Sequence, residues 1–151
     1  MNMKTMTIAA AVVAISATVV LAGQKVQLKD LPPAVQKTVR EETKSATLVG
    51  IGKEKENGKT VYELETKVNG RTRDLMIDAA GKVYLVEEET ALDSVPAAVK
   101  TALQSRGKLL RLETLTKGTA VTYEAQVEKN GTKSEVELGA DGKPVKKCQS
   151  K

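Results

Sequence analysis

A stretch of this sequence occurs twice, and that repetition limits the folds open to the chain. Leu31-Pro32-Pro33-Ala34-Val35-Gln36-Lys37-Thr38-Val39 is matched by Val95-Pro96-Ala97-Ala98-Val99-Lys100-Thr101-Ala102-Leu103, an offset of 64 from Pro32 to Pro96. Further along, Tyr62-Glu63-Leu64-Glu65 and Asn69-Gly70 are matched by Tyr123-Glu124-Ala125-Gln126 and Asn130-Gly131, an offset of 61 that holds as far as Gly81-Lys82 against Gly142-Lys143. The difference of three residues falls between a helix and a strand, where a loop absorbs it. Self-similarity at a fixed period marks a duplicated structural unit, so residues 24–89 form repeat 1 and residues 90–151 form repeat 2.

Each copy carries the same local signals. A proline stands at the helix start, where its missing N–H costs nothing, with Asp30 and Ser94 just upstream as candidate caps. Leu31, Val35 and Val39, and likewise Val95, Val99 and Leu103, recur every four residues and give each helix one apolar stripe. Gly107 suits the end of the second helix, and the first is expected to fray near Lys44-Ser45. The period then changes to two. Copy one runs through Leu48–Ile51, Val61–Val68, Thr72–Ile77 and Val83–Glu87, with turn signals at Asn57-Gly58, Asn69-Gly70 and Ala80-Gly81. Copy two runs through Leu109–Leu115, Val121–Val127, Lys133–Leu138 and a weaker Pro144–Lys147. Asn-Gly between alternating segments is a strong hairpin signal. Pro144 suggests an edge position, which Lys146 and Lys147 would help to keep unpaired. The expected fold class is α+β, as two tandem modules, each one helix packed on a four-stranded antiparallel meander sheet. Apolar residues would fill the face toward the helix, and Glu, Lys and Thr the other.

Met1-Asn2-Met3-Lys4 precedes an uncharged run from Thr5 to Gln24, rich in Ala, Val and Ile. The exit Val20-Leu21-Ala22-Gly23 offers the small residues that signal peptidase requires. Residues 1–22 therefore read as a signal peptide cut after Ala22, with a retained anchor helix as the competing reading. The mature chain would be periplasmic or secreted, without stable membrane insertion. Its charge is uneven: residues 24–89 hold 12 basic and 12 acidic side chains, residues 90–151 hold 11 and 7. A basic second half suits an anionic surface or simply a solvated lysine-rich one. Nucleic acid is disfavoured by export and by the lack of Trp and Phe as stacking platforms. The single cysteine, Cys148, excludes an internal disulfide and reads as an incidental thiol near the chain end.

The sequence contains no histidine, which removes Ser-His-Asp and Cys-His catalysis, the usual zinc sites and the commonest general base near neutral pH. No catalytic, cofactor-binding or metal-binding residues are assigned, and no cofactor is expected. Glu87-Glu88-Glu89 reads as a solvated link between the modules and only weakly as a divalent-ion site. Asp78 and Asp141 sit in glycine-containing turns, where Asp bonds the local backbone. Gly50-x-Gly52 lies within a strand and lacks a third glycine, so it is not a nucleotide loop. Asn130-Gly131-Thr132 matches a glycosylation acceptor, but the hairpin turn already explains it. Tyr62 and Tyr123 fall at apolar strand positions and are expected in the core, which leaves Tyr84 as the remaining aromatic.

Leu31-Pro32-x-x-Val35, Tyr62-Glu63-Leu64 and Leu75-Met76-Ile77-Asp78-x-x-Gly81-Lys82-Val83 resemble the tandem PepSY-like (β-lactamase-inhibitor-like) proteins of the bacterial cell envelope. The pattern returns as Val95-Pro96-x-x-Val99, Tyr123-Glu124-Ala125 and Val136-Glu137-Leu138-x-x-Asp141-Gly142-Lys143, so the likeness spans nearly the whole mature chain. It implies a non-catalytic protein that binds another envelope protein and modulates it, for example a peptidase or a peptidoglycan-processing enzyme, with inhibition as one form of that role. Polar sheet faces lying side by side would form one recognition surface. The alternatives are a low-specificity binder of cations, peptides or cell-wall polymer, and a passive structural envelope protein.

Overall fold

The computed structural model describes residues 23–145. The proposed leader, its cut after Ala22, Lys146, Lys147 and Cys148 lie outside the described residues. Eight strands run in chain order across one antiparallel sheet: β1 (Gln24–Lys25), β2 (Thr47–Glu56), β3 (Lys59–Val68), β4 (Arg71–Asp78), β5 (Val83–Glu89), β6 (Lys108–Lys117), β7 (Ala120–Lys129) and β8 (Thr132–Leu138). Helix α1 (Pro33–Glu42) precedes β2, and α2 (Ala97–Gln104) precedes β6. Among the described residues no helix is long and apolar enough to cross a membrane.

The expectation of two separate helix-on-four-strand modules is overturned. Glu87-Glu88-Glu89 is not a link: it is the end of β5, which pairs with β6 through Glu87↔Leu115, Glu88↔Thr114 and Glu89↔Glu113. An unpaired edge strand exposes a row of backbone donors and acceptors, and joining β5 to β6 satisfies both edges at once. The halves also differ in strand number. The first gains β1, and the second ends in a single bridge, Leu138↔Pro144, in place of a fourth strand.

Local chemistry sets the hairpins. Asn57-Gly58, Asn69-Gly70 and Asn130-Gly131 all adopt positive φ, as a two-residue type I′ turn requires. Asp78 Oδ1 accepts from the backbone N–H of Ala80 and Lys82, both at 2.9 Å, and Asp141 Oδ1 from that of Lys143 at 3.1 Å. Gly81 and Gly142 pass under the helices so closely that a Cβ would stand 2.7 Å from the carbonyl oxygen of Ala34 and 2.5 Å from that of Ala98. The candidate caps are not used. Pro32 and Pro96 occupy the N-cap positions without side-chain bonds, while Asp30 and Ser94 end short 3-10 turns upstream.

Both helices lie on the same face of the sheet. Val35 and Val39 pack with Leu31, Ile51, Tyr62, Leu64, Leu75 and Ile77, while Val99 and Leu103 pack with Val95, Leu112, Ala125, Val127 and Leu138. Tyr62 is buried and Tyr123 packs against the second cluster, as their strand positions predict. Between the clusters, Arg73 on β4 ion-pairs with Glu42 of α1 (3.0 Å) and Glu88 of β5 (3.3 Å).

Candidate functional site

Directly opposed residues of antiparallel strands project to the same side of a sheet, so the register dictates what the uncovered face displays. From β2 to β5 the pairs Gly50↔Glu65↔Asp74↔Glu87 and Gly52↔Glu63↔Met76↔Leu85 cross the sheet in rows. From β5 to β8 the rows are Glu87↔Leu115↔Thr122 and Glu89↔Glu113↔Glu124↔Glu137, with Arg111↔Gln126↔Glu135 beside them. Glutamates spaced two apart along each strand thus become one acidic expanse opposite the helices. Lys25, Lys59, Lys67, Lys108, Lys117 and Lys133 share this side at or near strand ends.

Crowding and partial burial act on these carboxyl groups. Burial first, then the negative charges of Glu54, Glu65, Asp74 and Glu87, push Glu63 up to about 7. Burial likewise raises Asp74, Glu87 and Glu113 above the ordinary carboxylate range. Glu113, only 5% exposed, forms an ion pair with Arg111 that partly offsets its burial. Thr122 Oγ1 donates to Glu137 Oε1 at 2.7 Å, and the backbone N–H and hydroxyl of Thr72 donate to Glu89.

Apolar groups are set among the acids. Met76, Leu85 and Leu115 are half-buried on this face. A bulge between Met76 and Ile77 turns Tyr84 toward β2, where its hydroxyl donates to Glu56 Oε2 at 2.8 Å. Burial and Glu56 together hold the Tyr84 phenol above its ordinary range. Tyr84, Val61, Asp78 and the Asn57-Gly58 turn line a cleft of about 720 Å³ at this end of the sheet.

The triad Glu87-Glu88-Glu89 is split by the strand period. Glu87 and Glu89 face the open side, and Glu88 meets Arg73 on the helix side. Among the described residues no group of three or more Asp, Glu, Cys or His side chains is arranged to hold a metal ion. Gly50 and Gly52 lie in β2, confirming the strand reading. The carboxylates of Glu65 and Glu63 lean over them, so that a Cβ on Gly50 would stand 3.0 Å from Glu65 Oε2 and one on Gly52 3.5 Å from Glu63 Oε2. The sequence reading passed over Arg111, Met76, Leu85 and Leu115, and left Tyr84 without a place. Their signal was the alternation itself, which shows its sidedness only once strands are aligned.

No protein-family model matches the sequence, and no curated protein matches it. Solved structures do share the fold. A protein of Bacteroides eggerthii described as periplasmic is 19% identical, with a TM-score of 0.64, over 77% of this chain and 86% of that one. A DUF2874 family protein of Bacteroides ovatus is 17% identical (TM-score 0.61), over 77% and 85% of the two chains. A BLIP-like protein of Bacteroides fragilis is 19% identical (TM-score 0.57), over 76% and 83%. At these identities the likeness is one of fold.

Proposed function

We propose that this chain is an exported, non-catalytic module of the bacterial cell envelope that binds another polypeptide across the open face of its sheet. The observation that carries the reading is the sheet itself: eight strands wide, covered by helices on one side only, with Tyr84, Met76, Leu85 and Leu115 among carboxylates on the other. Mixed apolar and charged surfaces with an accessible tyrosine suit protein recognition.

Several further facts agree. Residues 1–22 have the character of a leader cut after Ala22, and one fold neighbour is described as periplasmic. Another is described as BLIP-like, in keeping with a protein-binding role. Residues 24–89 and 90–151 are, in this reading, two PepSY-like sequence repeats whose strands have joined into one sheet, and the bound protein is an envelope enzyme such as a peptidase whose activity is modulated.

The test is affinity capture from a cell-envelope extract with the mature chain, the doubly substituted Tyr84→Ala/Met76→Arg chain and a helix-side control, Glu41→Arg. One enriched protein, retained at moderate salt by the wild type and the control and lost from the open-face variant, is the expected result. Retention by all three chains would remove the open face from the reading. A diffuse set of cationic material that washes off with salt would favour the low-specificity binder, since exposed charges are screened within a Debye length of about 10 Å.

A further inference from the structure

The two halves of the open face differ at several positions, and at one of them the first half lacks a side chain that the second half carries. In the second half a bulge between Leu109 and Arg111 precedes the pairs Arg111↔Gln126 and Leu112↔Ala125. In the first half the same bulge, between Leu48 and Gly50, precedes Gly50↔Glu65 and Ile51↔Leu64. Gly50 therefore occupies the position of Arg111, and Gly52 that of Glu113. In the second half that position holds a guanidinium, ion-paired with Glu113. In the first half it holds no side chain, yet the charges acting on Glu63 beside it, from Glu54 on β2, Glu65 on β3, Asp74 on β4 and Glu87 on β5, are all negative. Lys25 on β1 is the cation paired nearby, opposite Gly52.

We infer that the trough over Gly50 and Gly52 receives a lysine or arginine side chain of the bound polypeptide, held against Glu63 and Glu65 where the second half supplies its own Arg111. This rests on the open-face reading above and names the partner's chemistry: a basic segment, with Met76 and Leu85, further along the row of Gly52 and Glu63, to receive its aliphatic stem. Binding is coupled to protons. A cation entering the trough favours the ionised form of Glu63, whose carboxyl is held near pH 7 in the free protein. A proton leaves on binding, and the grip loosens as the pH falls.

Gly50 has ordinary strand φ, and the group nearest to an added Cβ is the flexible end of Glu65, so an arginine fits there. Gly50→Arg is thus the internal plug for the trough. The experiment is calorimetric titration of the mature chain with a decalysine peptide at fixed ionic strength. The wild type should bind near pH 8 although residues 24–151 carry 23 basic and 19 acidic side chains, a formal net charge of +4. Gly50→Arg should weaken binding by about tenfold or more, as should Glu63→Gln/Glu65→Gln, whereas the helix-side control Asp30→Asn/Glu41→Gln, which removes the same amount of charge, should not. Wild-type affinity should fall about three- to tenfold between about pH 8 and about pH 5.5, with a smaller fall in the Glu63→Gln/Glu65→Gln chain.

No wild-type binding, unchanged binding by Gly50→Arg, or an equal loss in the helix-side control would each overturn the inference. Carrying Gly50→Arg into the capture experiment separates the two readings. A partner lost from Tyr84→Ala/Met76→Arg but kept by Gly50→Arg leaves the open face standing and removes the basic-side-chain trough. A partner kept by both removes the open face as well.

Discussion

Residues 61 apart occupy matching places in the two halves, yet the halves solve different problems with them. Toward the helices, Leu64 in the first half corresponds to Ala125 in the second, Thr66 to Val127, and Ile77 to Leu138, all buried. The core volume is redistributed while the backbone pattern is kept. On the open side the contrast is one of charge. Arg111 and Glu113 form a pair where the first half has Gly50 and Gly52, and Glu63 is left among like charges. Two of these core positions trade one apolar group for another, since volume and hydrophobicity are what is constrained there, while Thr66 keeps a buried hydroxyl that donates to the backbone carbonyl of Arg73. An open face has no such constraint, so its differences are candidates for function.

The largest test of this contrast concerns the cores. Leu64→Ala, which writes the second half's residue into the first, should cost about 3 kcal/mol because a fully buried leucine leaves a cavity. Urea unfolding should still show one transition if the continuous sheet makes the halves cooperate. Two separated transitions would break that picture.

Next comes the central cation. Arg111→Gln leaves Glu113 buried near Asp74 and Glu89 without its counter-ion. It should destabilise by about 2 kcal/mol near pH 8, less than a fully buried pair because Arg111 is half exposed. Little loss should remain at low pH, where Glu113 is neutral.

Glu63→Gln should have the opposite sign. The carboxyl of Glu63 is raised from 4.5 to about 7 in the folded chain, so its neutral form is the favoured one. The stability it contributes is fully present below about pH 4.5 and is lost as the pH rises through 7. Replacing it with neutral Gln should therefore stabilise the protein by about 1 kcal/mol near pH 8, after allowance for solvent screening, and change nothing near pH 4. Thermal melts of both chains across that range check the sign. A wild type as stable near pH 8 as the variant would remove the like-charge crowding from the comparison.

The smallest effect belongs to the helix side. Arg73 has Ser134 as its second-half match, and its pairs with Glu42 and Glu88 are partly solvated. Arg73→Ser should cost less than about 1 kcal/mol. A larger loss would mean that this bridge, and not the strand pairing alone, ties α1 to the middle of the sheet.

Much of the fold was legible residue by residue. The apolar stripes of both helices, the Asn-Gly turns and the alternation of β3, β4, β6, β7 and β8 follow from short-range sterics and burial, which act within a few residues. Strand β1 was not legible, because two residues carry no period. Glu87-Glu88-Glu89 misled for a related reason. Three consecutive charges read as solvated chain, and only the backbone of β6 alongside makes them a strand. The polar face of Glu, Lys and Thr was legible from the alternation, but which carboxylates share it was not: Glu63, Glu87, Glu113 and Glu137 lie far apart in sequence, and no local pattern links them.

The sequence by itself determined where the chain turns, which residues each half buries and, through the absence of histidine, which chemistries are closed to it. Those outcomes depend on covalent geometry and on the preference of apolar groups for the interior, both readable from neighbouring residues. Only the tertiary structure decided that the two halves share one sheet, that both helices cover the same side, and that carboxylates from seven strands meet on the other. Strand pairing sets those outcomes. It joins residues by backbone hydrogen bonds between distant segments, and its register turns an alternation along the chain into a charge pattern across a surface.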